Sequence, residues 1–273
     1  MSNFSNYINT LCYNLSRKKE PTFNNYSKII TDFSELSPKS TSPFNLSARH
    51  YNNSGPSSDG LFVAEKLTID ERTQIYSDFV KYYSQFGDVP EPKYAWDYKS
   101  MACHSYDKFR IDIYKPGRIV TKCTLPKYGV ASPWLYTSMN KGDFDNPWLQ
   151  PIDKPTEPRD YYFEIDIIET FMNPDRAVFS GHYGTQTNRK IKSKAIMKYL
   201  PGEHYCEVVW DGKGNWKWLL NSVVVNRKFI PQPESIYPFF KLTLSIIEPF
   251  PSGVDRVEWK VDYVKFSDNI IEL

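Results

Sequence analysis

The stretch YYFEIDIIET, residues 161–170, gathers three carboxylates, Glu164, Asp166 and Glu169, in a segment that otherwise reads as a strand. Successive side chains of an extended chain alternate faces. Tyr162, Glu164 and Asp166 therefore share one face, and Phe163, Ile165 and Ile167 share the other, which suits a hydrophobic core. Carboxylates this close raise one another's pKa. That is a cost for a purely structural strand, and it is useful for acid–base chemistry, where a carboxyl must hold its proton near neutral pH. Glu169 stands at an odd offset from Glu164. In a regular strand it would fall on the core face, where an unpaired charge is expensive. One extra residue, a β-bulge at Ile167–Ile168, would return it to the face of the other two acids. The Cα span from Glu164 to Glu169 is then roughly 13 Å at about 3.3 Å per residue. Two Glu side chains leaning inward on a curved sheet close much of that gap, toward the separation of about 5–5.5 Å used in retaining glycoside hydrolysis. An acidic solvent face would account for Glu164 and Asp166, but not for Glu169.

The elements that must position these acids are mostly short strands. KFRIDIY, GRIVTKCTL, SPWLYTS, YYFEIDIIE, AVFSGHYG, HYCEVVW, NWKWLLN, SVVVNRKF, FFKLTLSII and VEWKVDYVKF are β-branched or aromatic and often alternating, with turn-formers such as KPG, DGKGN and PFPSG between many of them. So many strand-like runs with so little helix predict an all-β sandwich of two antiparallel sheets. GLFVAEKLTI (60–69) reads as a further strand. DERTQIYSDFVKYYSQFG (70–87) carries Ile75, Phe79, Tyr82, Tyr83 and Phe86 at helical spacing, with Asp70 placed to cap its start and Gly87 to end it. Residues 1–58, rich in Asn, Ser, Thr, Pro and Tyr, read as an N-terminal arm or leader, partly irregular, ahead of a domain spanning 59–273. The Pro/Asp/Asn-rich loop 138–160 runs directly into the acidic strand, and loops of that length are often functional.

Composition removes several function classes. A net charge of +2 gives no reason to expect nucleic acid. No apolar run is long enough to span a membrane. The first 21 residues lack the apolar region of a secretory signal. Cys12, Cys103, Cys123 and Cys206 stand singly, with neither zinc spacing nor the density of a disulfide scaffold.

EIDIIE resembles the E-x-D-x-x-E signature of glycoside hydrolase family 16, the laminarinase, lichenase, agarase and carrageenase group. Three flanking blocks resemble that family in its order. GRIVTKCTLPKYGVASPWLYTS (117–138) is similar to its G-x-Y-E-x-R-x-K strand, Gly turn and aromatic strand. GEHYCEVVWDGKGNWKWLLNSVVV (202–225) is similar to its F-H-x-Y-x-x-x-W hairpin. VEWKVDYVKFSD (257–268) is similar to its closing V-D-Y-V-R-V-Y strand. The resemblance implies a concanavalin-like β-jelly-roll and a retaining endo-β-glycanase acting on a polysaccharide of β-glucan or galactan type. Glu164 matches the nucleophile, Glu169 the general acid/base, and Asp166 the residue that holds the first and modulates the second. Tyr162, Trp134 and Tyr136 match aromatic sugar platforms, and His182 and Tyr183 match substrate contacts. Trp210 matches a hairpin Trp expected in the core. No cofactor is implied for the reaction, but a structural calcium is, held partly by Asp262. Trp148 would belong to the cleft wall.

The departures bear on the substrate. W-P-A-F-W is reduced to VASPW, keeping Pro133 and Trp134; Ser245 and Ile247 replace the Asn and aromatic of the penultimate cleft strand; and the D-G turn has become Asn221–Ser222. The basic run NRKIKSKAIMK (188–198) reads as a solvated hairpin or, more sharply, as a contact for sulfated or acidic glycan. The rival to an enzyme is a non-catalytic glycan-binding jelly-roll, or a structural, virion-associated protein docked through its N-terminal arm. Retention of the whole acid trio favours the enzyme, since a binding module needs neither Glu. The missing signal pulls the other way, because polysaccharide lies outside the cell; non-classical export, lysis or carriage on a phage particle would reconcile the two.

Overall fold

A computed structural model describes residues 26–38, 49–85, 87–92, 96–139, 152, 154–157, 159–171, 176–197 and 201–273. Strands dominate it. The N-terminal part holds β1 (Lys28–Ile30), β2 (His50–Ser54), β3 (Leu61–Lys66), the helix α1 (Ile69–Tyr83), β4 (Tyr98–His104) and β5 (Phe109–Ile111). Then come β6 (Pro116–Leu125), β7 (Val130–Met139), β8 (Tyr161–Thr170), β9 (Arg176–Gly184) and β10 (Arg189–Met197). The chain ends with β11 (Gly202–Asp211), β12 (Asn215–Leu220), β13 (Val223–Phe229), β14 (Phe239–Ser245), β15 (Arg256–Phe266) and β16 (Ile270–Glu272).

Twelve strands follow one hydrogen-bonded path, β10-β9-β8-β7-β14-β4-β3-β15-β6-β11-β12-β13, with β1 joined to β15 and β2 to β4 off it, and β5 and β16 pair separately. Apart from β2, which lies parallel to β4, the pairings are antiparallel. β4 turns the corner between two layers: its start pairs with β3 and its end with β14. The layers pack face to face as a jelly-roll sandwich around one core. Phe163 and Ile165 of β8 and Leu242 and Leu244 of β14 meet Trp216 and Trp218 of β12 and Trp259 of β15 in that core. Each of these comes from the apolar phase of an alternating strand, and so the polar phase of β7, β8 and β14 faces outward. Trp210 is core, stacked on Trp216 with centroids 5.1 Å apart. The turn Asn221–Ser222 has φ of 50° and 68°, the left-handed pair a two-residue hairpin requires. The buried Asn221 carboxamide accepts the Tyr205 backbone N–H at 3.0 Å, which helps hold this conformation without a glycine.

Two sequence expectations change here. The helix is capped by Thr68, not Asp70. The Thr68 hydroxyl accepts the Glu71 N–H at 3.2 Å and the Glu71 carboxylate accepts the Thr68 N–H at 2.8 Å, a reciprocal capping box. The helix stops at Tyr83, before Gly87, and buries Ile75 and Phe79 against Leu67 and Trp96. The second change concerns the leader. Within 1–58, β1 pairs with β15, β2 pairs with β4, and Ile30, Phe33 and Leu36 lie in the main core. These residues build the sandwich rather than precede it, so the domain extends N-terminal to residue 59. Segments 1–25 and 39–48 of the arm lie outside the described residues. Among the described residues no helix is long and apolar enough to cross a membrane.

Candidate active site

The acids of β8 stand on the outer face of its layer, and the register explains how. Asp166 pairs with Ser180 of β9 and Glu169 pairs with Val178. Two residues of β8, Ile167 and Ile168, thus oppose one of β9, which is the bulge the spacing requires. Both isoleucines are fully buried in the core, and Glu169 rejoins the phase of Glu164 and Asp166. The indole N–H of Trp218, from the opposite layer, donates to the Asp166 carbonyl at 2.7 Å. This ties the backbone at the edge of the bulge to the core and satisfies a buried acceptor.

Directly opposed residues of antiparallel strands share a face, and three cross-strand rows therefore define the site. One runs Phe239, Tyr136, Glu164, His182, Ile191. The next runs His104, Lys241, Trp134, Asp166, Ser180. The third carries Ser138, Tyr162, Gly184 and Arg189. Trp134 and Tyr136 lie beside the acids with ring centroids 5.0 Å apart, and Tyr136 meets Tyr162 edge-on at 5.8 Å.

The acids are held by a hydrogen-bond network. The Tyr162 hydroxyl donates to Glu164 Oε2. Burial and the Glu164 charge push the phenol's pKa well up, so Tyr162 stays a donor. Asp166 Oδ2 accepts the Ser180 hydroxyl at 2.5 Å and lies 3.1 Å from His182 Nε2, which is also 3.6 Å from Glu164 Oε1. Burial, then the charge on Asp166, hold both Glu164 and Glu169 above the ordinary carboxyl range; His182 opposes this at both. Burial pulls the His182 imidazole down, but its hydrogen bond to Asp166 and the charges of all three acids outweigh this and raise it.

Of the residues singled out from sequence, Glu164, Asp166, Glu169, Tyr162, Trp134, Tyr136 and His182 come together on this face. Tyr183 does not. One residue beyond His182, it turns to the other side of β9 and packs against the core. Asp262 lies in the other layer, where its carboxylate is paired with Lys122 Nζ at 3.2 Å; the same ammonium holds Glu203 at 3.1 Å. An ammonium already fills the place of a cation there, and a calcium ion fits these residues poorly. Ligand atoms of Glu164, Asp166 and His182 lie within 4.8 Å of one another, close enough for a metal ion, but hydrogen bonds already engage all three side chains. Trp148 lies outside the described residues. Lys241, Phe239 and Thr243 of β14 and His104 of β4 were missed. FFKLTLS does alternate outward Phe239, Lys241, Thr243 and Ser245 with core Phe240, Leu242 and Leu244, but nothing local says that β14 lies beside β7. Ile247 falls beyond the end of β14 and is exposed.

No protein-family model matches the sequence, and no curated protein matches it. Solved structures do match. LamAcat from Zobellia galactanivorans superposes with a TM-score of 0.60 at 14% identity, covering 90% of this chain and 98% of that one. A kappa-carrageenase from the same organism gives 0.55 at 14% identity, covering 90% and 92%. A glycoside hydrolase family 16 endo-glucanase from Bacteroides ovatus gives 0.53 at 14% identity, covering 86% and 98%. The fold is that of glycoside hydrolase family 16. Within this fold the bulged acidic strand lies in the middle of its layer, flanked by β7 and β9.

Proposed function

We propose that the protein is a retaining endo-β-glycanase that hydrolyses internal bonds of a polysaccharide of β-glucan or galactan type. The observation that carries this reading is the bulge between Asp166 and Glu169, which keeps a third acid on the face of the other two despite its odd spacing. A binding surface gains nothing from a third carboxylate held protonated beside two others. The aromatic surface of Trp134, Tyr136 and Tyr162 beside the acids supports it, since sugar rings stack on such faces, and so does the likeness in fold to an endo-glucanase and a carrageenase.

In this reading a Glu164 oxygen attacks the anomeric carbon while the bond to the glycosidic oxygen breaks and that oxygen takes the proton of Glu169. The Glu169 carboxylate then removes a proton from water, the water oxygen attacks the anomeric carbon, and the bond to Glu164 breaks. Tyr162 orients Glu164. Asp166, fixed by Ser180 and His182, keeps Glu169 protonated between turnovers. The test is reducing-end release from β-1,3-glucan, mixed-linkage glucan, agarose and carrageenan, with the first-formed anomer read by NMR. A β-anomer product is expected. An α-anomer from any of them would overturn retention, and no cleavage of any would favour a glycan-binding module.

The pH profile separates the roles further. Glu169 must be protonated for the first step, so activity should fall on the alkaline side as it ionises. After burial, Asp166 is the largest cause holding Glu169 up. Removing its charge in Asp166→Asn lowers the Glu169 pKa, so the alkaline limb of kcat/KM should move to lower pH. A limb that stays in place in this variant would mean that Asp166 does not act on Glu169.

A further inference from the structure

We infer that the glycan carries anionic substituents, sulfate esters or carboxylates, and that Lys241 reads one of them beside the acids. This rests on the proposed glycan-cleaving reading and names the substrate class for the same face. Lys241 projects from β14 in the row His104, Lys241, Trp134, Asp166. Its Nζ stands over the Trp134 ring, 4.9 Å from the centroid, and among the described residues it is paired with no carboxylate. The side chain is half-buried, and an ammonium losing part of its water is costly unless an anion meets it. Burial lowers its pKa to about 8, while the charge of Glu164 pulls the other way.

A second cation flanks the acids from the other side. The Arg189 guanidinium lies 3.9 Å over the Tyr162 ring, and its Nη2 donates to Gln186 Oε1 at 3.0 Å. In the opposite layer the pattern differs: Lys122 holds Glu203 and Asp262, and Arg118 holds the buried Glu207. On the site face the cations sit instead on the aromatic platforms where sugar rings would stack. A neutral glycan would desolvate Lys241 and offer it only hydroxyl oxygens, whereas a substituent anion on a sugar over Trp134 would supply an opposite charge. Only part of the basic run 188–198 contributes. Arg189 shares the site face, and Lys190, opposite Tyr183, turns away.

The test is binding, which needs no turnover. The full chain carrying Glu164→Gln is titrated with a neutral β-1,3-glucan, its sulfated and carboxymethylated derivatives, agarose and carrageenan, at low and high salt. The expected result is at least about tenfold tighter binding of an anionic polymer than of its neutral counterpart, the scale of one well-placed charge pair, weakening as salt rises. The two derivatives decide between sulfate and carboxylate. Adding Lys241→Met should remove the preference, Lys241→Arg should keep it, and Lys190→Met should leave it in place. Equal binding of neutral and anionic polymers, a preference indifferent to Lys241→Met, or no binding of any polymer would overturn the inference. An anion preference without cleavage by the wild type would support it while removing the enzymatic reading.

Discussion

Glu164→Gln is expected to lower kcat by at least about a thousandfold on whichever polymer is cut, the scale on which losing a catalytic nucleophile acts. The substitution is nearly isosteric, and the amide oxygen can still accept the Tyr162 hydroxyl, but an amide cannot form the glycosyl ester. Loss of fold is the competing cause, and the sign of the stability change separates the two. The folded-state pKa of Glu164 is raised, chiefly by burial and then by Asp166. A carboxyl raised in the folded state contributes stability that is present below its unfolded pKa and lost as pH rises through the folded value. Above neutral pH the wild-type protein therefore carries an ionised, desolvated group that the glutamine variant lacks. Thermal denaturation there should find Glu164→Gln at least as stable as the wild type while reducing-end release collapses. Unchanged activity would remove Glu164 as nucleophile, and a marked fall in melting temperature would make it a structural residue.

How much of this was legible in the sequence follows the range of each signal. The acid face and its bulge were legible because both are local: alternation fixes the faces, and the buried Ile167–Ile168 pair shows why an odd spacing still ends outward. Trp134 and Tyr136 could be read as one face of β7, and their place opposite Asp166 and Glu164 came through the family resemblance. Lys241 and His104 could not be placed, because β14 reaches β7 and β4 across more than a hundred residues of chain and no local pattern encodes that neighbour. β1 is only three residues long, too short to show a period, and β2 is a polar HYNNS whose partner β4 lies beyond the helix. Tyr183 came through the family resemblance, and alternation along β9 turns it to the side opposite His182. The helix cap moved from Asp70 to Thr68 because Thr68 and Glu71 satisfy each other's backbone donors, a pairing that favours the earlier start.

Length variants at the bulge should have opposite outcomes. Between the pairs Asp166–Ser180 and Glu169–Val178, β8 has two residues where β9 has one. Deleting Ile168 makes the ladder regular and leaves Glu169 opposite Val178, still facing outward with the other acids. The core loses a fully buried side chain, a cost of about 2–5 kcal/mol on the scale of emptying an Ile site, but the deletion variant should still cut polymer once folded. Inserting an alanine between Ile168 and Glu169 changes the phase instead. Glu169 then turns inward or drags Thr170 out of place, and the Thr170 hydroxyl, fully buried, bonds both the Gly129 carbonyl at 2.9 Å and the Ala131 N–H at 2.8 Å. Neither route leaves a proton donor beside the glycosidic oxygen, so activity should fall by about 10²–10⁴-fold, the share general acid–base catalysis supplies. Reducing-end release from the two variants, each compared with its own folded fraction by circular dichroism, decides the matter. If the insertion is active and the deletion dead, the phase of β8 does not govern the chemistry, and the acid/base must be sought on another strand.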